Sequence, residues 1–252
     1  MTDNKNVEKL IDQLKSERKA NYKNGIYHYT QTTLAYNSNR IEGSKLSHEH
    51  TVNLFNTHTI LSNGDEIIDS NDIIETMNHF RAFDFILTNY DQNIDEDFVK
   101  EIHRILKSNT TDADMDWFNV GEYKSLSNTI GDTETCPPEN VASEMQKLIE
   151  KYTSLSKHDF HTLLSFHVHL EEIHPFQDGN GRVGRLLLFK DCLKYGIIPF
   201  IIDHEHKLFY YRGLREFHKE PGYLTDTCLS AQDKYTAYCK HLVNGFSTDN
   251  PR

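Results

Sequence analysis

Cysteine is sparse in this 252-residue chain, and Cys136, Cys192, Cys228 and Cys239 form no Cys-x-x-Cys pair. That argues against a dense disulfide framework or a thiolate metal cluster and makes reduced thiols in a cytoplasmic protein the expectation. Positive charge is in deficit as well, with 27 Lys and Arg against 38 Asp and Glu and a formal net charge of -11. No broad basic surface follows from such a balance, so nucleic-acid and acidic-membrane binding are disfavoured and a protein partner is expected. Long apolar runs are missing too. The first 23 residues scatter Lys and Glu among Leu10, Ile11 and Leu14, which reads as neither a signal peptide nor a membrane span. There is no internal repeat and no low-complexity tract.

Helical periodicity dominates what is there. Apolar spacing and punctuation predict helices over 5–22, 28–42, 47–57, 71–90, 95–107, 139–154, 158–173, 181–195, 204–219 and 226–243. Strand signals are scarce. Ile60 to Ile68 carries Asn63-Gly64 between apolar pairs and predicts a short hairpin. The expected fold is all-α with one or two small hairpins. At this length the chain can bury a core as one extended domain or as a catalytic domain with an N-terminal helical subdomain, and one compact unit is the simpler expectation.

The most informative segment is His174-Pro-Phe-Gln-Asp-Gly-Asn-Gly-Arg-Val-Gly-Arg185. Before it, Leu163, Phe166, Leu170 and Ile173 recur at helical spacing, and Pro175 biases His174 out of the right-handed helical region, so a helix ends there. After it, Val183, Leu186, Leu187, Phe189 and Leu193 mark a second helix that stops at Gly196 before Pro199. The segment is therefore a tight turn with Gly179-Asn180-Gly181 at a helix N-terminus. Unpaired N–H groups point outward there, and glycine lets an anion approach them closely. Arg182 and Arg185, placed in the first turn, oppose the helix dipole by roughly 0.3–1 kcal/mol each, which suggests an anion that offsets the opposition. Asp178 is the one acid in the turn and suits a magnesium ion on the same phosphates. His174, with an ordinary imidazole pKa of about 6.5, suits a base acting on a hydroxyl. Each residue alone fits an ordinary surface turn; the spaced set does not, since a plain turn needs neither the histidine nor two arginines three apart.

His174 to Arg185 resembles the Fic-domain signature, His-x-Phe-x-Asp/Glu-Gly-Asn-Gly-Arg-x-x-Arg, at every specified position. The resemblance extends over about residues 95 to 220. Ile102-His103 opens a helix as in that family, Gly121-Glu-Tyr123-Lys124 is similar to its Gly-x-Tyr-Arg segment, and Asn128 to Asp132 ahead of Cys136-Pro137-Pro138 stands where it carries a β-hairpin flap. An exposed strand edge there could hold a target segment. The resemblance implies transfer of AMP from ATP to a hydroxyl side chain of a protein target, with pyrophosphate released and self-modification open to it. It implies His174 as base, Asp178 on Mg2+, and Phe176 as a core anchor. The implied ATP-binding set is Asp178, Gly179, Asn180 (backbone and amide), Gly181, Arg182, Val183, Gly184 and Arg185, with Thr129, Ile130, Gly131 and Asp132 of the flap. Tyr210, Tyr211 and Leu214 stand where the family lines its adenine pocket. His218 stands where relatives carry Asn. Gly181, in place of the lysine of a related kinase-like group, favours AMP transfer. Family members form dimers, so a homodimer is one assembly state the resemblance allows.

Upstream, Ser38-Asn-Arg-Ile-Glu42-Gly43 is similar to the family's inhibitory pattern, Ser/Thr-x-x-x-Glu-Gly/Asn. Ser38 and Glu42 share a helical face, with Gly43 as the stop. The spacing is commonplace by itself; beside the signature it implies a Glu42–Arg185 pair that blocks a productive γ-phosphate pose. The implied layout is an N-terminal helical region over 1–94, a core over 95–220 and a C-terminal segment over 221–252. Three rival readings remain at this level. Removal of AMP from a modified protein would use the same site, and a nucleotide-sensing module would use it without turnover. A zinc hydrolase would use His167, Glu171 and His174, spaced i, i+4 and i+7 on one helical face.

Overall fold

Local punctuation decides where the helices begin. In the computed structural model, which describes residues 2–61, 64, 67–131 and 133–247, α1 spans Thr2–Ala20, α2 Ile26–Ile41, α3 His48–Thr57, α4 Ser70–Thr88 and α5 Glu96–Lys107. A two-stranded hairpin follows, β1 Thr129–Ile130 and β2 Thr133–Glu134, and then α6 Pro138–Thr153, α7 Phe160–Ile173, α8 Asn180–Lys194, α9 Lys207–Glu216 and α10 Gly222–Leu242. Side-chain caps set four of these starts: Ser47 accepts from the His50 N–H, Asp69 from Asn71, Asp95 from Phe98 and Asp159 from Thr162. The all-α expectation holds, and among the described residues no helix is long and apolar enough to cross a membrane.

Three details differ from the sequence reading. Ile102 and His103 lie in the second turn of α5 and do not open it, because the Asp95 cap starts the helix at Glu96. The span expected as one helix over 204–219 divides into a 3-10 turn, His204–His206, and α9. The last helix begins at Gly222, before the expected 226, where Pro221 holds a helical φ of -63°. The flap hairpin forms with Thr129 opposite Glu134 and Ile130 opposite Thr133; Asp132 lies outside the described residues. The hairpin expected around Asn63-Gly64 also falls partly outside them, at Ser62, Asn63, Asp65 and Glu66.

The signature lies between α7 and α8, and α8 is buried along its whole length from Asn180 to Leu193. A helix enclosed all round is placed by packing. Leu186 and Leu187 enter a core that joins Leu10 of α1, Phe83 of α4, Ile102 of α5 and Tyr235 of α10. Leu188 and Cys192 enter a second core with Val168 of α7, Tyr210 of α9 and Leu224 of α10. Each fully buried leucine contributes about 1.5–3 kcal/mol, so the helix carrying both signature arginines is fixed from two sides.

The α9–α10 contact depends on Gly213. A β-carbon there would stand 2.7 Å from Leu224 Cα, which is backbone and cannot rotate away. Gly213→Ala is expected to destabilise the fold by about 1–3 kcal/mol; urea unfolding measures it, and unchanged stability would show that α9 can slide over α10.

Candidate active site

Pro175 removes His174 from the helix, and His174 closes α7 in the left-handed region at φ 52°, ψ 62°. Its N–H still bonds Leu170 O at 2.9 Å. A non-glycine residue held there stores on the order of 1–3 kcal/mol, a pattern associated with functional positions. The ring's Nδ1 lies 3.3 Å from Glu171 O, so Nδ1–H donates to that carbonyl and Nε2 keeps its lone pair. Burial lowers the pKa of His174, opposed by the Glu171 backbone contact and assisted by Lys124. A neutral imidazole with a free Nε2 is a competent proton acceptor at neutral pH.

The chain then turns. Phe176, fully buried and stacked 3.9 Å from His103, pins the turn to α5. Asn180 closes it, accepting from Phe176 N at 2.8 Å and donating to Phe176 O at 2.8 Å. Each end of that amide bonds the Phe176 backbone, so the Asn180 side chain shapes the turn. Gly179, at φ 85°, is the cap residue and brings no capping side chain. Gly179 therefore offers no side chain to the first N–H groups of α8.

Two acidic clamps surround the arginines. Arg182, buried, pairs with Asp178 at 3.0 Å and with Glu75 of α4. Lys107, 1% exposed, reaches Glu75 at 2.5 Å, Asp178 at 2.7 Å and Asp112 at 3.1 Å. Burial alone would raise the Asp178 carboxyl; Arg182 and Lys107 outweigh it and hold the group well below the usual carboxylate range. Arg185 sits one turn beyond the first turn in which it was expected. It donates from Nε to Ser38 Oγ at 3.0 Å and from Nη2 to Ser38 O at 2.9 Å and Glu42 Oε1 at 2.7 Å. Gly43 follows with φ 108° and ends α2, as the motif predicts. A β-carbon on Gly181 would run into the Glu42 carboxylate. Glu42 thus lies over the glycine nest, in van der Waals reach of the place where the pattern expects an anion.

The flap is tied to this turn. Lys124 Nζ donates to Asn128 Oδ1 at 2.7 Å and Thr135 Oγ1 at 2.5 Å, and Asn128 Nδ2 donates to Phe176 O at 3.0 Å. Thr129, Ile130 and Gly131 are exposed in the hairpin. Tyr210 is buried, its hydroxyl 2.6 Å from His167 Nε2, and Tyr211 donates to Ile41 O at 3.2 Å. Leu214 packs on the second core.

The zinc set does not assemble. His167 and Glu171 lie 4.0 Å apart, but the turn to positive φ takes His174 off their face, and His167 is engaged by Tyr210. Burial, then Arg185, pushes His167 down to about 3. Burial pushes Glu171 up to about 8, with Arg185 opposing and Glu42 assisting. Between about pH 4.5 and 8 the folded chain therefore holds a proton on Glu171 that the unfolded chain has released; this group's stabilisation is complete below 4.5 and is lost as pH rises through 8. Glu171→Gln is expected to gain stability over the parent between pH 5 and pH 8, on the order of 3 kcal/mol. Urea unfolding at the two pH values tests this, and an equal difference at both would mean that Glu171 is ionised in the fold.

Glu75 and Lys107 escaped the sequence reading because they meet the signature only in space. Lys107 did leave a trace, since it falls on the apolar stripe of Phe98, Val99, Ile102, His103 and Leu106, where a lysine is out of pattern.

Comparison with known proteins agrees with this geometry. Residues 93–190 match the Fic/DOC family model. It is similar to "Protein adenylyltransferase Fic" of Nematostella vectensis, 27% identical over 185 residues, covering 72% of this chain and 42% of that protein. It is also similar to "Protein adenylyltransferase fic-1" of Caenorhabditis elegans, 26% identical over 183 residues, covering 71% of this chain and 35% of that protein. The chain spans less than half the length of these curated relatives. Its fold is shared with a Fic domain containing signaling protein from Bacteroides thetaiotaomicron, at TM-score 0.68 and 24% identity over 92% of this chain and 90% of that one. It is shared too with C. elegans Fic-1 (residues 134–508, E274G), at TM-score 0.70 and 18% identity over 95% of this chain and 71% of that one.

Proposed function

We propose that this chain is a protein adenylyltransferase that moves AMP from ATP to a hydroxyl side chain of a target protein, itself included, and that Glu42 restrains it. The observation that carries the reading is the Glu42 carboxylate lying over Gly181 and on Arg185, an internal anion at the place where the helix N-terminus favours one. The names of the relatives supply the donor and the reaction class.

In this reading His174 Nε2 accepts the proton of the target hydroxyl, whose oxygen attacks the α-phosphorus of ATP. One P–O bond forms, the bond to the bridging oxygen breaks, and pyrophosphate leaves. The N–H groups of Gly179 to Arg182 cradle the phosphates, and Arg182 and Arg185 take up charge on the outer ones once Glu75 and Glu42 give way. Asp178 suits Mg2+, since its carboxylate remains 47% exposed at the edge of the nest, and magnesium is commonly held by one or two carboxylates together with phosphate oxygens. A magnesium ion held there by Asp178 would supply charge that stabilises pyrophosphate as a leaving group. The flap edge at Thr129–Ile130 receives the target segment, and Tyr210 and Tyr211 border the base. Residues 1–94 act as the inhibitory helical region beside a core over 95–220, in a cytoplasmic protein.

Incubation with ATP and magnesium followed by intact-mass measurement tests the reading. A gain of one AMP per chain, or AMP on an added protein, supports it; neither, in the parent and in Glu42→Gly, overturns it. Asp178→Ala is expected to lose transfer by roughly 100-fold or more, and undiminished transfer by the parent in a chelator would remove the metal role.

A further inference from the structure

One face of α7 carries His169 and Glu172, three residues apart and therefore adjacent on the helix surface. His218, just past α9, meets them. The three residues each offer a ligand atom within 4.8 Å of the others, the one such grouping among the described residues. We propose that His169, Glu172 and His218 form a binding site for a divalent transition metal ion of the zinc class, independent of the nucleotide site.

Three observations support the assignment. His169 Nδ1 lies 2.7 Å from Ser165 O, so Nδ1–H donates to the carbonyl and Nε2 is left as the lone-pair nitrogen, the tautomer and orientation that metal-ligating histidines adopt. The two imidazole rings lie 5.5 Å apart between centroids; two imidazoles at a tetrahedral angle on one ion, with N at about 2.0–2.1 Å, have centroids about 5 Å apart. The third ligand is already in place, with Glu172 Oε1 at 2.7 Å from His218 Nε2. In that contact Nε2–H donates to the carboxylate. An ion bound at Nε2 takes the proton's place and leaves it on Nδ1, with Glu172 as its neighbouring ligand.

The frame is rigid on both sides. His169 and Glu172 share a helix fixed by Leu164, Val168 and Leu170 in the two cores, and Phe217, next to His218, is 5% exposed in the second core. Two nitrogens and one carboxylate select Zn2+ and its neighbours over Mg2+ or Ca2+, which prefer oxygen. Three protein ligands leave a position for water, and the exposure of Glu172 and His218 gives the ion a path in. Occupancy would staple the end of α7, two residues before His174, to the end of α9.

Calorimetric titration of the untagged full chain with ZnCl2, in a Cys136→Ser background to remove the one thiol that is not buried, tests the site. The expected result is one equivalent of Zn2+ bound with no competition from Mg2+, weakened at least about 10-fold in His169→Ala and in His218→Ala, and unchanged in His174→Ala. Co2+ should give the visible bands of a near-tetrahedral ion in the parent and lose them in His218→Ala. No binding at millimolar metal, or equal affinity in the parent and both histidine variants, would overturn the proposal. Loss of binding in His174→Ala with retention in His218→Ala would move the metal to the signature face and overturn it equally.

Discussion

Glu42→Gly is expected to raise the initial rate of AMP incorporation by roughly 10-fold or more over the parent, since a coupled pair of this kind is worth about 0.5–3 kcal/mol. The substitution removes the carboxylate from Arg185 and from above Gly181, so one change frees both the guanidinium and the nest. The fold should survive, because Arg185 keeps Ser38 Oγ and Ser38 O as acceptors. Activation requires Arg185: in the Arg185→Ala background, Glu42→Gly should give little increase, since the group it liberates is gone. Initial rates for the four proteins at fixed ATP and magnesium complete the cycle. Equal activation in both backgrounds would place the effect of Glu42 elsewhere.

His174→Ala is expected to lose transfer by about 100- to 10,000-fold while ATP still binds, since it removes the proton acceptor and leaves the glycine nest intact. Because position 174 has positive φ, His174→Asn is the better-matched control for backbone strain, as asparagine tolerates that region and also lacks the base. Calorimetry for ATP and a transfer assay on the same sample separate binding from chemistry; activity within tenfold of the parent in both variants would remove His174 from the mechanism. The pH profile carries the same assignment. Burial lowers the His174 pKa, and the neutral form is the active one, so transfer should persist above the folded-state pKa and fall off on the acid side below the ordinary imidazole range near 6.5. An acid limb above that range would mean that another group is being titrated.

Features written in consecutive residues were legible in the sequence. The helix-turn-helix around 174–185, the glycine at the end of α2 and the hairpin after Asn128 each depend on neighbours only a few positions away, and each is where the pattern put it. The inhibitory pair joins positions 143 residues apart and was legible only because the signature demanded a partner for Arg185. Without such a demand, distance hid the contacts. Glu75, Lys107 and Asp112 became one network by the packing of α4 and α5 against α8, which no local period encodes. The zinc face failed for the opposite reason: i, i+4, i+7 spacing presumes that the helix continues, and His174 leaves it.

Both signature arginines are held by carboxylates from the N-terminal helices, Arg185 by Glu42 at the end of α2 and Arg182 by Glu75 in α4. These same helices supply Ile26, Leu34 and Phe83 to the main core, beside Leu10 of α1. Cutting away residues 1–94 would therefore open a hydrophobic surface, deprive Arg185 of Glu42 and Ser38, and leave Arg182 with Asp178 but without Glu75. In the proposed function, the brake is thus built into the chassis. Release has to come from a local displacement at Glu42 that keeps the helices seated, and a truncated chain should be recovered as an unstable protein, not as an unleashed enzyme.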